Sequence, residues 1–224
     1  MKLSEDTLNV LKNFSTINPS LLIKPGKAIS TVSPNKTIMA IANTDEHFDS
    51  IGGIYEVSRF LGVLSLFQEP VISFESTHME IKDSKRSVNY TFADQSMIVT
   101  PPEKEISFPN PEVSINIEWN DINNALRASG VMQLPEIVIM GDGSNIAIGA
   151  MDSKNPTADI YNQNVGTTTN TFKFIFKVEN LKLIDKDYKI EISTRGIAKF
   201  SSLNTEGAKM IYWVATEANS SFGV

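Results

Sequence analysis

Residues 119–133, WNDINNALRASGVMQ, decide how the chain is read. Asn120 reads as a helix N-cap, and Asp121 places a carboxylate in the first turn, where it suits the helix dipole. Ile122, Ala125, Leu126 and Ser129 fall on one stripe of apolar or small side chains at helical spacing. Asn123, Asn124 and Arg127 form the opposite stripe, polar and free of acids beyond the first turn. A strand-like run at 113–119 leads in, and two alternating runs, 136–140 and 145–151, follow across Gly-Asp-Gly-Ser. The pattern predicts a β-α-β-β unit: one amphipathic helix laid on an antiparallel sheet.

The N-terminal half carries a second version of this unit. Residues 4–14, SEDTLNVLKNF, predict a helix capped by Ser4, with Glu5 and Asp6 in its first turn. Leu3, Thr7, Val10, Leu11, Phe14 and Ile17 form its inner face; Asn9, Lys12, Asn13 and Thr16 form its outer one. Strand runs follow at 20–24, 27–32 and 36–42, divided by Pro25-Gly26 and Pro34-Asn35 turns. A second helix is expected at 54–67, IYEVSRFLGVLSLF, with Ser58, Arg59, Gly62 and Ser65 outward, then strands at 71–75, 78–82 and 87–92.

Residues 100–111, TPPEKEISFPNP, hold four prolines and little periodicity, so they read as a connector, with 106–108 able to add as an edge strand. This divides the chain into domains at 1–99 and 112–224. After the opening unit, the second half predicts strands at 157–165 and 170–177, a short fourth helix at 178–184 (VENLKLI), hairpin arms at 188–194 and 197–203, a last strand at 208–217, and a frayed tail at 219–224. Helix one then corresponds to helix three and helix two to helix four. Two α+β domains of similar topology are the economical reading.

The chain has 224 residues, no Cys and a formal net charge of −6. Disulfides and thiolate metal sites are excluded, which fits a reducing compartment. The first residues, MKLSED, place acids where a signal peptide needs an apolar core, and no apolar run has the length of a membrane span. Residues 2–14, 55–67, 120–132 and 177–186, the predicted helices with their flanks, hold seven bases and six acids, leaving 13 bases and 20 acids elsewhere. Most of the helix acids sit in first turns. The exposed mid-helix positions are therefore neutral or basic on an acidic protein, a segregated field able to hold a polyanion.

No catalytic constellation emerges. A phosphate-binding loop and a dinucleotide fingerprint are absent from the sequence. His47 and His78 stand alone, without metal-ligand spacing or a nucleophile elbow. Residues 141–145, GDGSN, lack the alternating acids and closing Glu of a calcium loop and fit a hairpin turn. The sequons at Asn35, Asn89 and Asn219 carry no meaning without secretion. No catalytic residue, metal or cofactor is expected.

Five segments in order carry a family resemblance: 1–18 (MKLSEDTLNVLKNFSTIN), 59–67 (RFLGVLSLF), 106–109 (ISFP), 126–139 (LRASGVMQLPEIVI) and 180–192 (NLKLIDKDYKIEI). Together they resemble the sliding clamps of T4-type bacteriophages, the DNA polymerase processivity factors. The resemblance implies an α+β clamp fold with two topologically similar domains per chain. Three copies would join head to tail into a homotrimeric ring, helices lining the hole and antiparallel sheets outside. Duplex DNA would pass through without sequence preference. DNA polymerase, a clamp-loader ATPase and late-transcription factors would be partners, in the cytoplasm of the infected bacterial host, with no enzymatic activity and no membrane contact. The residues expected to face DNA are Lys2, Lys12, Arg59, Arg127, Lys177, Lys182 and Lys186. A pocket for partner peptides is expected around Ile106, Phe108 and Pro109, with Ile211, Tyr212 and Val214 as a wall. The rival readings are a monomeric α+β scaffold without DNA contact and a transcription accessory factor on the same fold.

Overall fold

A computed structural model describes residues 1–103, 106–203 and 207–223. It divides into two compact units, Met1–Glu105 with Thr205–Ile211 and Ile106–Asn204 with Tyr212–Val224. Among the described residues no helix is long and apolar enough to cross a membrane.

The first unit opens with helix α1, Glu5–Ile17. Ser4 caps it, its hydroxyl accepting from the Thr7 N–H at 3.2 Å. Strands β1 (Leu21–Ile23), β2 (Gly26–Val32), β3 (Ile38–Phe48) and β4 (Gly52–Ile54) follow. β2 and β3 form an antiparallel hairpin, and β1 pairs with β4. Ile54 belongs to that strand, so the second helix, α2, is shorter than expected: Val57–Leu64. It buries Val57, Phe60 and Leu64. A three-stranded antiparallel sheet, β5 (Val71–Phe74), β6 (His78–Lys82) and β7 (Ser87–Thr91), completes the unit. Met1 covers the β5 edge, its ammonium donating to the Ile72 carbonyl at 2.7 Å and its carbonyl accepting from the Ile72 N–H at 2.7 Å.

In the second unit, β8 (Val113–Ile117) leads into α3 (Trp119–Met132). The helix starts one residue before Asn120, which is not its cap. The Asp187 carboxylate accepts the Trp119 N–H at 2.8 Å, a capping role taken by a residue distant in the chain. Gln133 ends the helix in the left-handed region at φ 54°, and the Ser129 hydroxyl donates to the Leu134 carbonyl at 2.6 Å. Strands β9 (Glu136–Asp142), β10 (Asn145–Met151), β11 (Tyr161–Thr167) and β12 (Thr171–Lys177) come next, then β13 (Tyr188–Ser193), β14 (Ile197–Ser202), β15 (Lys209–Ala215) and β16 (Ser221–Phe222). One sheet runs β11-β10-β9-β12-β16, with α3 packed on β9, β10 and β11. β8, β13, β14 and β15 lie side by side in another, and Lys209–Ile211 of β15 are counted with the first unit.

Four further expectations change. The strand expected at 157–165 starts at Tyr161, because Asn155 caps a turn through the Thr157 N–H and hydroxyl. Residues 106–108 join no strand, and Lys104 and Glu105 of the connector lie outside the described residues. The tail is not frayed at Ser221–Phe222: these residues pair with Phe172 and Lys173, and the Phe222 ring stacks on Phe172 at 6.5 Å. Val224 lies outside the described residues.

The fourth helix does not form. A single 3-10 turn, Val178–Asn180, is followed by extended chain in which Leu181 and Leu183 are buried two residues apart. Two phenols hold the Ile184 peptide. The Tyr188 hydroxyl donates to its carbonyl at 2.7 Å, and the Tyr212 hydroxyl accepts its N–H at 3.2 Å. Both rings are fully buried in a cluster with Phe200. Burial pushes both phenols upward, so they remain protonated donors.

Candidate nucleic-acid interface

Each α-helix turns its apolar stripe inward and leaves one mid-helix cation outside. α1 buries Thr7, Val10, Leu11, Phe14 and Ile17, which exposes Glu5 and Asp6 in its first turn and Asn9, Lys12 and Thr16 beyond it. α2 exposes Ser58, Arg59 and Gly62. α3 buries Ile122, Ala125 and Ser129 and exposes Asn120, Arg127, Gly130 and Val131. Its one acid, Asp121, is half-buried and accepts a hydrogen bond from the Gln163 amide on β11. Beyond the first turns the outward faces are polar apart from Val131, with one long cation each, suited to phosphate contact that carries no sequence information.

The other four expected cations do not sit on α-helices. Lys2 precedes α1 and pairs with Glu69 at 2.7 Å, both side chains exposed. Lys177 is exposed at the end of β12. Lys182 and Lys186 are half-buried on the extended segment held by Tyr188 and Tyr212. That clamp, rather than a helix, fixes where their ammonium groups emerge.

The second expected site needs one correction. Ile106, Phe108 and Pro109 are half-buried, and the Lys199 ammonium lies over the Phe108 ring at 5.9 Å. Ile211 is also half-buried. Tyr212 and Val214 are fully buried, because alternation along β15 sends Met210, Tyr212 and Val214 together into the core. They cannot wall an open pocket. Trp213 faces the other way, on the same face of the sheet as Lys199, since Ala198 and Phe200 beside Lys199 are core residues. Its indole N–H is buried and has no hydrogen-bond partner among the described residues. The alternation of 209–215 was the signal that pointed to Trp213 in place of Tyr212.

A cleft of about 350 Å³ beside α2 and β7 is lined by Tyr55, Arg59, Val63, Tyr90 and Phe92, among others. Arg59 therefore borders this cleft as well as the outer helix face. The Tyr90 phenol is pushed upward by burial, with Arg59 acting in the opposite sense. Among the described residues no cluster of three or more His, Asp or Glu side chains could hold a metal ion.

Comparison with known proteins covers both halves of the chain. The profile described as "gp45 sliding clamp, C terminal" matches residues 114–218, and that described as "DNA polymerase processivity factor" matches residues 4–100. The sliding clamp of Enterobacteria phage T4 is 33% identical over 98% of this chain and 98% of its own length. That of Escherichia phage RB69 is 32% identical over 98% of each. The sliding clamp of Vibrio phage KVP40 is 29% identical over 97% of this chain and 100% of its own. Among solved structures, the PCNA of A. fulgidus, crystallised with the C-terminal region of FEN-1, superposes with a TM-score of 0.72 over 98% of both chains at 14% identity. Entamoeba histolytica PCNA gives 0.71 over 96% of this chain and 97% of its own at 10% identity. These structures share the fold.

Proposed function

Because this chain belongs to the phage sliding-clamp family, we propose that it works as a closed ring of three copies, holding DNA polymerase to the duplex it encircles. It is a sliding clamp and a processivity factor for DNA polymerase, of bacteriophage origin. Two domains of one fold, with helices bearing single outward cations, suit such a role. A ring retains DNA by closure, so its lining needs only weak, evenly spread phosphate attraction. The observation that carries the reading is this set of outward faces on α1, α2 and α3, each with one cation: Lys12, Arg59 and Arg127. Lys177 and Lys182 add to the lining, and Lys2 and Lys186 lie at its margins.

Ring closure needs two different, complementary edges, since a heterologous contact that closes yields a ring. β7 and β11 are outermost strands of their sheets. Each has an exposed apolar side chain at hand: Tyr55 in the cleft beside β7, and Ile160 just before β11. Open strand edges of this kind are ordinarily covered. The β7 edge of one copy would take the β11 edge of the next, with the cleft at Tyr55 and Tyr90 receiving apolar side chains of the neighbour.

A clamp-loader ATPase would open this ring on primed DNA. Polymerase and late-transcription factors would dock through short peptides at Ile106, Phe108 and Pro109, beside the half-buried Trp213 on the outer face of β15. The work takes place in the cytoplasm of the infected host. The test is retention on DNA. Loaded with clamp loader and ATP, the protein should stay on nicked circles and leave when they are linearised, and its mass in solution should approach three chains of 24.7 kDa. Equal loss from circles and linear DNA would sink the ring.

A further inference from the structure

A groove of about 970 Å³ lies in the first unit, between the α2–β5 turn and the β6–β7 hairpin. Its walls carry four cations, Lys2, Lys82, Lys85 and Arg86, against two acids, Glu69 and Asp83. On a protein of net charge −6 this is a local excess of positive charge.

The acids are committed to the fold. Asp83 is turned inward, with its side chain 8% exposed. It accepts the N–H groups of Lys85 and Arg86 at 2.8 Å each and the Arg86 guanidinium at 2.7 Å. Those backbone bonds, and then the Arg86 side chain, hold its carboxyl well below the usual range, so it stays ionised and stays in the hairpin. Arg86 is fixed further by the Phe67 ring, 5.5 Å from its guanidinium carbon. Lys2 pairs with Glu69 at 2.7 Å, and Lys82 with Glu80 at 2.6 Å. Lys2, Glu69 and Lys82 are exposed and Glu80 is half-buried, and solvent-facing pairs of this kind exchange readily for another anion. Lys85 stands at the hairpin tip with no ion pair among the described residues.

We infer that this groove binds the phosphate backbone of a polynucleotide, as a contact separate from the outward helix faces. The inference extends the clamp reading. Its walls suit phosphate, because among the described residues lining it every side chain but that of Val71 is polar or charged. Protein partners need an apolar anchor in a desolvated pocket. Lysine point charges and a fixed arginine fork suit phosphate oxygens without one.

The test measures binding of a 20-base-pair duplex by fluorescence anisotropy across a salt series. The wild type is compared with Lys82→Gln/Lys85→Gln and with a charge-matched control, Lys27→Gln/Lys154→Gln, at exposed lysines outside the groove. The log–log salt slope should fall in magnitude by about 2 in the groove variant and hold in the control. Equal slopes in all three proteins, or no salt-dependent binding by the wild type, would overturn the inference. Tripolyphosphate displacing the duplex at equal phosphate concentration would also overturn it, making the groove a small-anion site. Retention on circles is scored separately: its loss in the wild type, with the slope difference intact, would remove the ring and leave the groove.

Discussion

Glu46 shows how one carboxylate on a strand secures a helix. It sits on β3, and its two oxygens take the Ser4 N–H and the Thr7 hydroxyl at the start of α1. Burial pushes its pKa upward, but the bonds from Thr7 and Ser4 prevail and hold it below the usual carboxylate range. A carboxyl lowered in the folded state contributes stability above its unfolded pKa and loses it as pH falls through the folded one. Glu46→Gln should therefore cost about 1–2 kcal/mol at neutral pH, the scale of a lost helix cap. The gap from wild type should narrow as pH falls below 4.5. Urea unfolding at pH 7 and at pH ~3.5 checks both, and a gap independent of pH would remove the capping role. The Ser4 cap was legible from Ser-Glu-Asp before an apolar stripe. Glu46 was not, because its partners lie about forty residues away.

At the scale of elements, β11 depends on a glycine in its neighbour. A Cβ on Gly149 would stand 2.3 Å from the Tyr161 carbonyl oxygen and 2.6 Å from the Asn162 side chain. Gly149 and Asn162 are paired in the β10–β11 register, so the clash falls on backbone that cannot yield locally. Gly149→Ala should displace β11 from β10 and remove one of the proposed ring edges. Its mass by light scattering should drop toward one chain while far-ultraviolet dichroism stays close to wild type. A variant that kept the wild-type mass would exclude β11 from the ring contact. The same scale shows where local pattern reaches its limit. α1 declares itself through its Ser4 cap and its stripe, α3 through its stripe alone, and β9 and β10 through alternation about a GDGS turn. The segment VENLKLI fits a helix as well as a strand, and phenols on Tyr188 and Tyr212 decide the matter from outside it. At the partner site the failure was one of parity. Ile211 and Tyr212 are adjacent in a strand and cannot face the same way.

For the molecule as a whole, the proposed ring would hold DNA as firmly as its outward cations allow. Lys12→Ala/Arg127→Ala/Lys182→Ala should shorten polymerase runs several-fold at ~0.15 M salt, where screening already weakens phosphate contacts. The solution mass should not change. Arg59→Ala is measured separately, because Arg59 also borders the cleft beside β7 and its loss would reach the ring contact too. Untouched run lengths in the triple variant would mean that these side chains do not meet the duplex. The outer faces of α1, α2 and α3, with amides, hydroxyls and glycines around a lone lysine or arginine, have a further consequence for motion. A flexible cation can pass from one phosphate to the next before its neighbours let go. In the proposed ring the energy profile along the helix axis would then be low in corrugation, and thermal agitation alone would carry the collar from base pair to base pair with little friction.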